Sequence, residues 1–364
     1  MRIGIDAREL GGHATGVGRY LGGLLREWSA SAAARRHEFV LYAANDIPIS
    51  LDTRRFATRV VRGSGGTLWE QLRVPRVAAR DHLDVWFSPA YSMPLTLRVP
   101  GVVAVHDLSF VAHPEWFRLR EGARRRLLCR RAVDRARAVL TISAFSKREL
   151  VERLNVQPDR IHVIPPGVEA AAATVTSSVE PNILFVGSIF NRRHLPDLIR
   201  AFAPIARKRA EASLDLVGDN RSYPHEDIAS LIAQQGLERQ VQWHQYVSDE
   251  QLRQLFARAR AFAFLSEYEG LGLPPLEALA AGVPPVLLDT AVARESCGDA
   301  AVYVPQGDIA ATTRALERLL FDEEQRRRIL DARTPVLSRY AWPEAAARTL
   351  ALLETCADTN GPAR

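Results

Sequence analysis

SEYEGLGLPPLEALAAGVPPVLLD, residues 266–289, follows an apolar run at 261–265 whose length and flanks read as a buried strand. Gly270 and Gly272 make a loop able to bring bare backbone close to a ligand. Pro274 and Pro275 suit the opening of a helix, where a missing N–H costs nothing. The helix LEALAA stops at Gly282, and PVLLD resumes as a second buried strand. Two carboxylates, Glu269 and Glu277, therefore bracket a glycine loop that feeds a helix N-terminus. That end of a helix offers unpaired N–H groups and partial positive charge to phosphate or sugar oxygens. An acid in a first helical turn also serves simply to complement the macrodipole, and a Gly-Pro loop simply to turn the chain. Loop and helix alone leave both readings standing.

A chain of 364 residues exceeds the usual single domain, so two are expected. Its 47% apolar and 25% charged residues fit an ordinary globular protein. No apolar run approaches the roughly 20 residues of a membrane span, and MRIGIDAREL has no signal-peptide core, so a cytoplasmic location is expected. Cys129, Cys297 and Cys356 are odd in number, far apart and without metal-ligand spacing, which reads as reduced thiols. The net charge of +6 is carried by arginine, since Lys147 and Lys208 are the only lysines. Codon usage accounts for the bulk of that arginine, and attraction to anions matters only where the arginines cluster.

RIGID opens the chain as a strand, a glycine-rich loop follows at 11–18, and RYLGGLLREWSAS reads as an amphipathic helix. Strands EFVLYA, VWFSP, GVVAVHD, AVLTIS and IHVIPPG then alternate with helices near 68–79, over 116–137 and over 144–154. Residues 169–181 lose periodicity and turn small and Ser/Thr-rich, the mark of a linker. Alternation restarts with strands NILFVG, SLDLVG, QVQWH, AFAFL, PVLLD and AAVYV. Strands alternating with helices imply parallel pairing and right-handed crossovers. The expected fold is thus α/β: an N-terminal Rossmann-like domain at 1–170, a linker at 171–181, a second such domain at 182–341, and a last helix at 342–364. Two such domains facing one another would bury a ligand at the carboxyl ends of their strands.

The stretch at 266–289 resembles the E-x7-E signature of retaining glycosyltransferases of family 4, with Glu269 and Glu277 at the acidic positions. FVGSIFNRRHL resembles the same family's G-x-x-x-x-R-K-N-L segment, with Gly187, Arg192 and Arg193 in place. Here Arg193 replaces the usual lysine and His194 the usual asparagine or glycine. The resemblance runs over essentially the whole chain and implies the GT-B fold, two facing Rossmann-like domains with a cleft between them. It also implies that the last helix returns to brace the first domain. Arg192 and Arg193 would neutralise a departing diphosphate, against the alternative of a solvated charge pair. Glu269 and the backbone of Gly270, Leu271 and Gly272 would face sugar and phosphates, and Glu277 would hold ribose hydroxyls. His106, in VAVHDL, would contact the transferred sugar, and Gly16 and Gly18 of GVGRY would approach the diphosphate. WHQYV matches the family's F-x-G-Y-V, so Tyr246 and Val247 would line the base pocket, with core packing the plain alternative for Tyr246. Ser143 suits a place near the cleft or a helix N-cap equally.

No D-x-D occurs in the sequence, so no metal or other cofactor is expected. LWEQLRVPRVAARDHLDVWFSPAYSMPL together with GVGRY looks most like bacterial mannosyl- and rhamnosyltransferases of O-antigen and surface polysaccharides. The implied donor is GDP-mannose and the acceptor a glycan or lipid-linked saccharide. A UDP- or TDP-sugar donor and a non-catalytic scaffold of the same fold are the alternatives. Trp116, Phe117, Leu119, Leu127 and Leu128 with nine arginines on the helix over 116–137 suit an anionic membrane face, or equally a solvated helix. Nucleic-acid binding is disfavoured because stacking aromatics are not interleaved with those arginines. A nicotinamide oxidoreductase is disfavoured because G-x-G-x-x-G is absent at 16–21.

Overall fold

The computed structural model describes residues 1–12, 16–169 and 180–358. Its contacts divide the chain into two units, and neither is continuous in sequence. One comprises Met1–Pro114, Leu119–Gly167 and Tyr340–Arg364, and the other Glu115–Arg118 with Val168–Arg339. Of the linker expected at 171–181, residues 171–179 lie outside the described residues.

The first unit is built on β1 (Arg2–Asp6), β2 (Glu38–Ala43), β3 (Phe56–Val60), β4 (Val85–Ser88), β5 (Gly101–Ala104), β6 (Ala138–Thr141) and β7 (Ile161–Val163). They pair in parallel in the order β3-β2-β1-β4-β5-β6-β7. The inner strands β4, β5 and β6 are buried along their whole length, as expected of a parallel sheet covered on both faces. The helix Gly16–Ala30 buries Leu21, Leu24, Leu25 and Trp28, one stripe at helical spacing. Against that helix packs the last one, Trp342–Asp358: Trp28 Nε1 donates to Ala346 O at 2.9 Å. Trp342 lies so close to Gly23 and Gly167 that a Cβ at either would stand within 2.4 Å of it. Those two glycines are therefore the seat of the tryptophan ring.

The second unit carries β8 (Asn182–Val186), β9 (Ser213–Val217), β10 (Val241–His244), β11 (Ala261–Phe264), β12 (Pro285–Leu288) and β13 (Val302–Val304). These pair in parallel as β10-β9-β8-β11-β12-β13. Its sheet is backed by helices such as Leu195–Lys208, whose Leu198, Ile199, Phe202 and Ile205 face inward while Asp197 and Arg207–Lys208 match the two ends of the dipole. The strand order reverses at β1/β4 in one sheet and at β8/β11 in the other. Crevices at the carboxyl ends of strands flanking such reversals are where open α/β sheets bind ligands.

Three expectations need correction. β3, FATRV, was not among the expected strands: on this edge strand only Phe56 is buried, Thr58 and Val60 are exposed, and half-buried Arg59 donates to the buried Asp81 at 2.8 Å. The helix expected near 68–79 begins as a π-helix, Trp69–Arg73, before turning α at Val74–Ala78. The arginine-rich helix runs only from Leu119 to Arg135, so Trp116 and Phe117 precede it and belong with the second unit.

At the end of β9, Gly218 has φ +144°, and a Cβ there would lie 2.2 Å from the Gly187 carbonyl oxygen. Gly218→Ala is expected to cost about 3 kcal/mol of stability, read as a shift in the urea midpoint. An unchanged midpoint would refute this backbone contact.

Candidate functional site

Everything that the β8/β11 reversal delivers comes from two loops, one after each strand. After β8 the chain passes Gly187 (φ +142°) into a short turn, Asn191–Arg193, and then His194, the N-cap of the helix Leu195–Lys208. His194 has φ +46°, a left-handed conformation that asparagine and glycine adopt most easily. Histidine therefore stands at a position whose backbone suits asparagine or glycine better. Its Nε2 lies 3.5 Å from Glu267 Oε2, an oxygen that also accepts from Gln306 Nε2 at 2.7 Å.

After β11 the chain turns at Ser266 and reaches Glu269. Arg193, only 9% exposed, donates from Nε to Glu269 Oε1 at 2.9 Å and from Nη1 to Ser188 O at 2.8 Å, and its Nη2 also lies 2.9 Å from Glu269 Oε1. The buried Ser266 hydroxyl lies 2.9 Å from the same carboxylate oxygen. The guanidinium also stacks 4.8 Å from the Phe264 ring centre. Glycine is favoured at position 187 because its φ of +142° is one that L side chains rarely adopt, and a Cβ would also crowd Arg193 Nη1 at 2.4 Å. Arg193 and Glu269 thus tie the two loops together, each satisfying the other's buried charge.

Arg192 is different. Its side chain makes no hydrogen bond or ion pair among the described residues, and its buried Nε has no partner. Aromatic faces hold it instead, with Phe190 at 4.5 Å and Trp116 at 5.9 Å from the guanidinium carbon. Trp116 in turn meets Tyr268 edge-on at 6.2 Å. A planar cation with unspent N–H donors is suited to bidentate recognition of an oxyanion.

Beyond Glu269, Gly270 and Leu271 are buried and Gly272, at φ +84°, is the N-cap of the helix Leu273–Ala280. Glu277 falls in the second turn of that helix, not in its first, so dipole complementation does not account for it. Val247 is half-buried, but Tyr246 is 71% exposed, which overturns core packing as its explanation.

In the first unit, Gly16 and Gly18 lie in the first turn of the helix Gly16–Ala30 and not in the loop before it. His106 follows β5; its Nε2 lies 2.7 Å from Pro89 O, so that nitrogen carries the proton, and its ring packs edge-on against Tyr20 at 4.7 Å. Burial lowers the His106 pKa below the usual imidazole value, while the Pro89 carbonyl and Asp107 pull the other way. A lowered folded pKa contributes stability above the unfolded value of about 6.5 and loses it as pH falls through the folded one. His106→Gln, whose amide keeps a donor for Pro89, is expected to flatten the acid-side fall in denaturation midpoint between about pH 6.5 and 5. Parallel wild-type and variant curves would exclude a neutral, buried imidazole. Ser143 is the N-cap of the helix Ala144–Leu154, accepting from Ser146 N at 3.0 Å.

Sequence reasoning missed Ser266, Gln306 and Trp116 as parts of this region. It also missed a buried cluster at β1/β4, where Arg8 is paired with Asp6 and Glu70 and Ser92 Oγ donates to Glu70 at 2.7 Å. The W-E-Q run was in view; its π-helical turn, which aims Glu70 inward, was not. Among the described residues no group of three or more His, Cys, Asp or Glu side chains is arranged to hold a metal ion.

Two family models match in succession: Glycosyltransferase Family 4 over residues 14–172, and Glycosyl transferases group 1 over 169–333. Together these two domains make a glycosyltransferase. Among curated relatives, it is 25% identical over 286 residues to O-antigen chain mannosyltransferase B of Escherichia coli, covering 75% of each chain. It is 30% identical over 222 residues to the MMP alpha-(1->4)-mannosyltransferase of Mycolicibacterium hassiacum, covering 59% of this chain and only 53% of that one. Among solved structures, sucrose-phosphate synthase from Thermosynechococcus elongatus superposes with a TM-score of 0.77 at 18% identity, over 97% of this chain and 98% of that one. Anabaena HepE in complex with UDP and glucose gives 0.76 at 18% identity, over 98% and 100%. The fold is that of the GT-B glycosyltransferases.

Proposed function

We propose that this glycosyltransferase moves mannose from GDP-mannose to a hydroxyl of a glycan or lipid-linked saccharide during surface-polysaccharide synthesis, with retention at the anomeric carbon and no metal ion. The observation that carries this reading is Arg192, a cation beside a strand-reversal crevice with no protein counter-ion among the described residues. Its partner on that account is the diphosphate. As the bond from the sugar's C1 to the β-phosphate oxygen breaks, negative charge gathers on that oxygen, and Arg192 stabilises it. The acceptor oxygen bonds to C1 from the face the phosphate leaves, and its proton passes to the departing phosphate oxygen. Products are the glycoside and a nucleoside diphosphate. Arg193 and Glu269, spent largely on each other, hold the loop that presents Gly270 and Gly272; Glu277 takes the ribose hydroxyls, and His106 meets the sugar.

The mannosyltransferase names among the relatives support the sugar. A UDP-sugar donor is the second reading, supported by the UDP and glucose named with HepE. An anionic membrane surface near a lipid-linked acceptor is supported by Leu119 and Leu127, 82% and 58% exposed on an arginine-rich helix. No helix among the described residues is long and apolar enough to cross a membrane. The test is a thermal-shift panel of GDP, UDP, dTDP and ADP, followed by transfer assays with the matching sugars in EDTA. Stabilisation by GDP and chelator-resistant transfer of mannose in the α-configuration are expected. No response to any of the four diphosphates, or turnover that requires added manganese, would refute the reading.

A further inference from the structure

Trp116 comes from the short turn Pro114–Trp116, yet its segment, Glu115–Arg118, packs with the second unit and not with the helices on either side of it. It brings three contacts. The indole faces the Arg192 guanidinium at 5.9 Å and meets Tyr268 edge-on at 6.2 Å, and two residues on, Arg118 lies 6.0 Å from the Tyr223 ring. Arg192 also rests on Phe190, at 4.5 Å. A long arginine side chain ordinarily samples many rotamers, and fixing one costs free energy. Buried arginines usually fix it with carboxylates, as Arg193 does with Glu269. That solution spends the N–H donors. Two aromatic faces fix the plane of the guanidinium and leave its edge, where the donors are, unspent.

We propose that Trp116 is a positioning residue for sugar transfer: with Phe190 it clamps Arg192 in plane, so that an anionic diphosphate meets a pre-aimed cation. The inference rests on the reading of Arg192 given above. It predicts that the two residues act as one. Trp116→Ala lowers kcat about tenfold, the scale of one partly desolvated cation–π contact, and weakens nucleoside diphosphate binding by a similar factor. Trp116→Phe, which keeps a ring face, recovers most of both. In an Arg192→Ala background, Trp116→Ala adds less than twofold, since the group it acts through is gone.

The experiment is calorimetric titration of GDP and UDP into wild type, Trp116→Ala, Trp116→Phe, Arg192→Ala and the double variant Trp116→Ala/Arg192→Ala, with turnover measured on whichever donor the wild type uses. Coupled losses with rescue by phenylalanine are the expected result. Independent, multiplying losses overturn the clamp, as does a Trp116→Ala variant that binds and turns over like wild type. Unaltered diphosphate binding in Arg192→Ala is a separate outcome, which removes the parent reading and the clamp with it. Urea midpoints of all variants, expected close to that of wild type, separate a positioning effect from unfolding.

Discussion

Arg192→Ala is expected to lower kcat by about 10²–10³-fold while leaving the urea midpoint nearly unchanged. The size follows from where the charge appears. A donor aimed at a leaving-group oxygen strengthens as the bond breaks, so its removal falls on turnover more than on donor affinity. Stability is spared because the side chain makes no hydrogen bond or ion pair among the described residues; only its stacking on Phe190 and Trp116 is lost. Arg192→Lys keeps the charge and gives up the planar fork, so an intermediate loss of about tenfold is expected. Steady-state kinetics with donor and acceptor varied separately reads both. A kcat within threefold of wild type in the alanine variant would leave the site without its cation and the assignment without its support.

Glu269→Gln should have the opposite profile, a large loss of stability. The amide keeps the volume and one acceptor oxygen but removes the charge that Arg193 needs, with side chains only 15% and 10% exposed. Stranding one member of such a pair costs about 3 kcal/mol or more. Arg193→Met alone strands the carboxylate in turn, whereas joining Arg193→Met to Glu269→Leu removes both charges and should recover a good part of the loss. Urea denaturation of the three proteins decides it. A single variant within 0.5 kcal/mol of wild type (about the size of an ordinary surface substitution) would mean the pair is not a tie between the loops.

Much of this architecture was legible in the residues. The strands NILFV and AFAF are apolar runs bounded by turn signals, and both lie in the interior of the sheet where such runs belong. The family resemblance put Arg192, Arg193 and Glu269 at one site, and the parallel order makes neighbours of the strands they follow. What spacing does not carry is side-chain partnership. Arg192 and Arg193 are adjacent and chemically identical, yet one is committed to a carboxylate and the other to two rings. That difference arises from Ser188, Ser266 and Phe264 around one and Phe190 and Trp116 around the other, contacts up to 76 residues apart. FATRV escaped notice since edge strands half-covered by solvent lack the apolar run. Trp116 was placed on a helix by its arginine-rich neighbours, and only the three-dimensional contacts show that its segment leaves that helix.

The helix Trp342–Asp358 that completes the first unit is made after the whole of the second. On a ribosome the stripe of Leu21, Leu24 and Trp28 emerges early, yet its cover arrives only after residues 168–339 have been threaded out. At about 5–20 residues per second that interval is on the order of ten to thirty seconds. During it the nascent chain displays a greasy face, a natural substrate for holding chaperones and a vulnerable point for any version cut short before Tyr340.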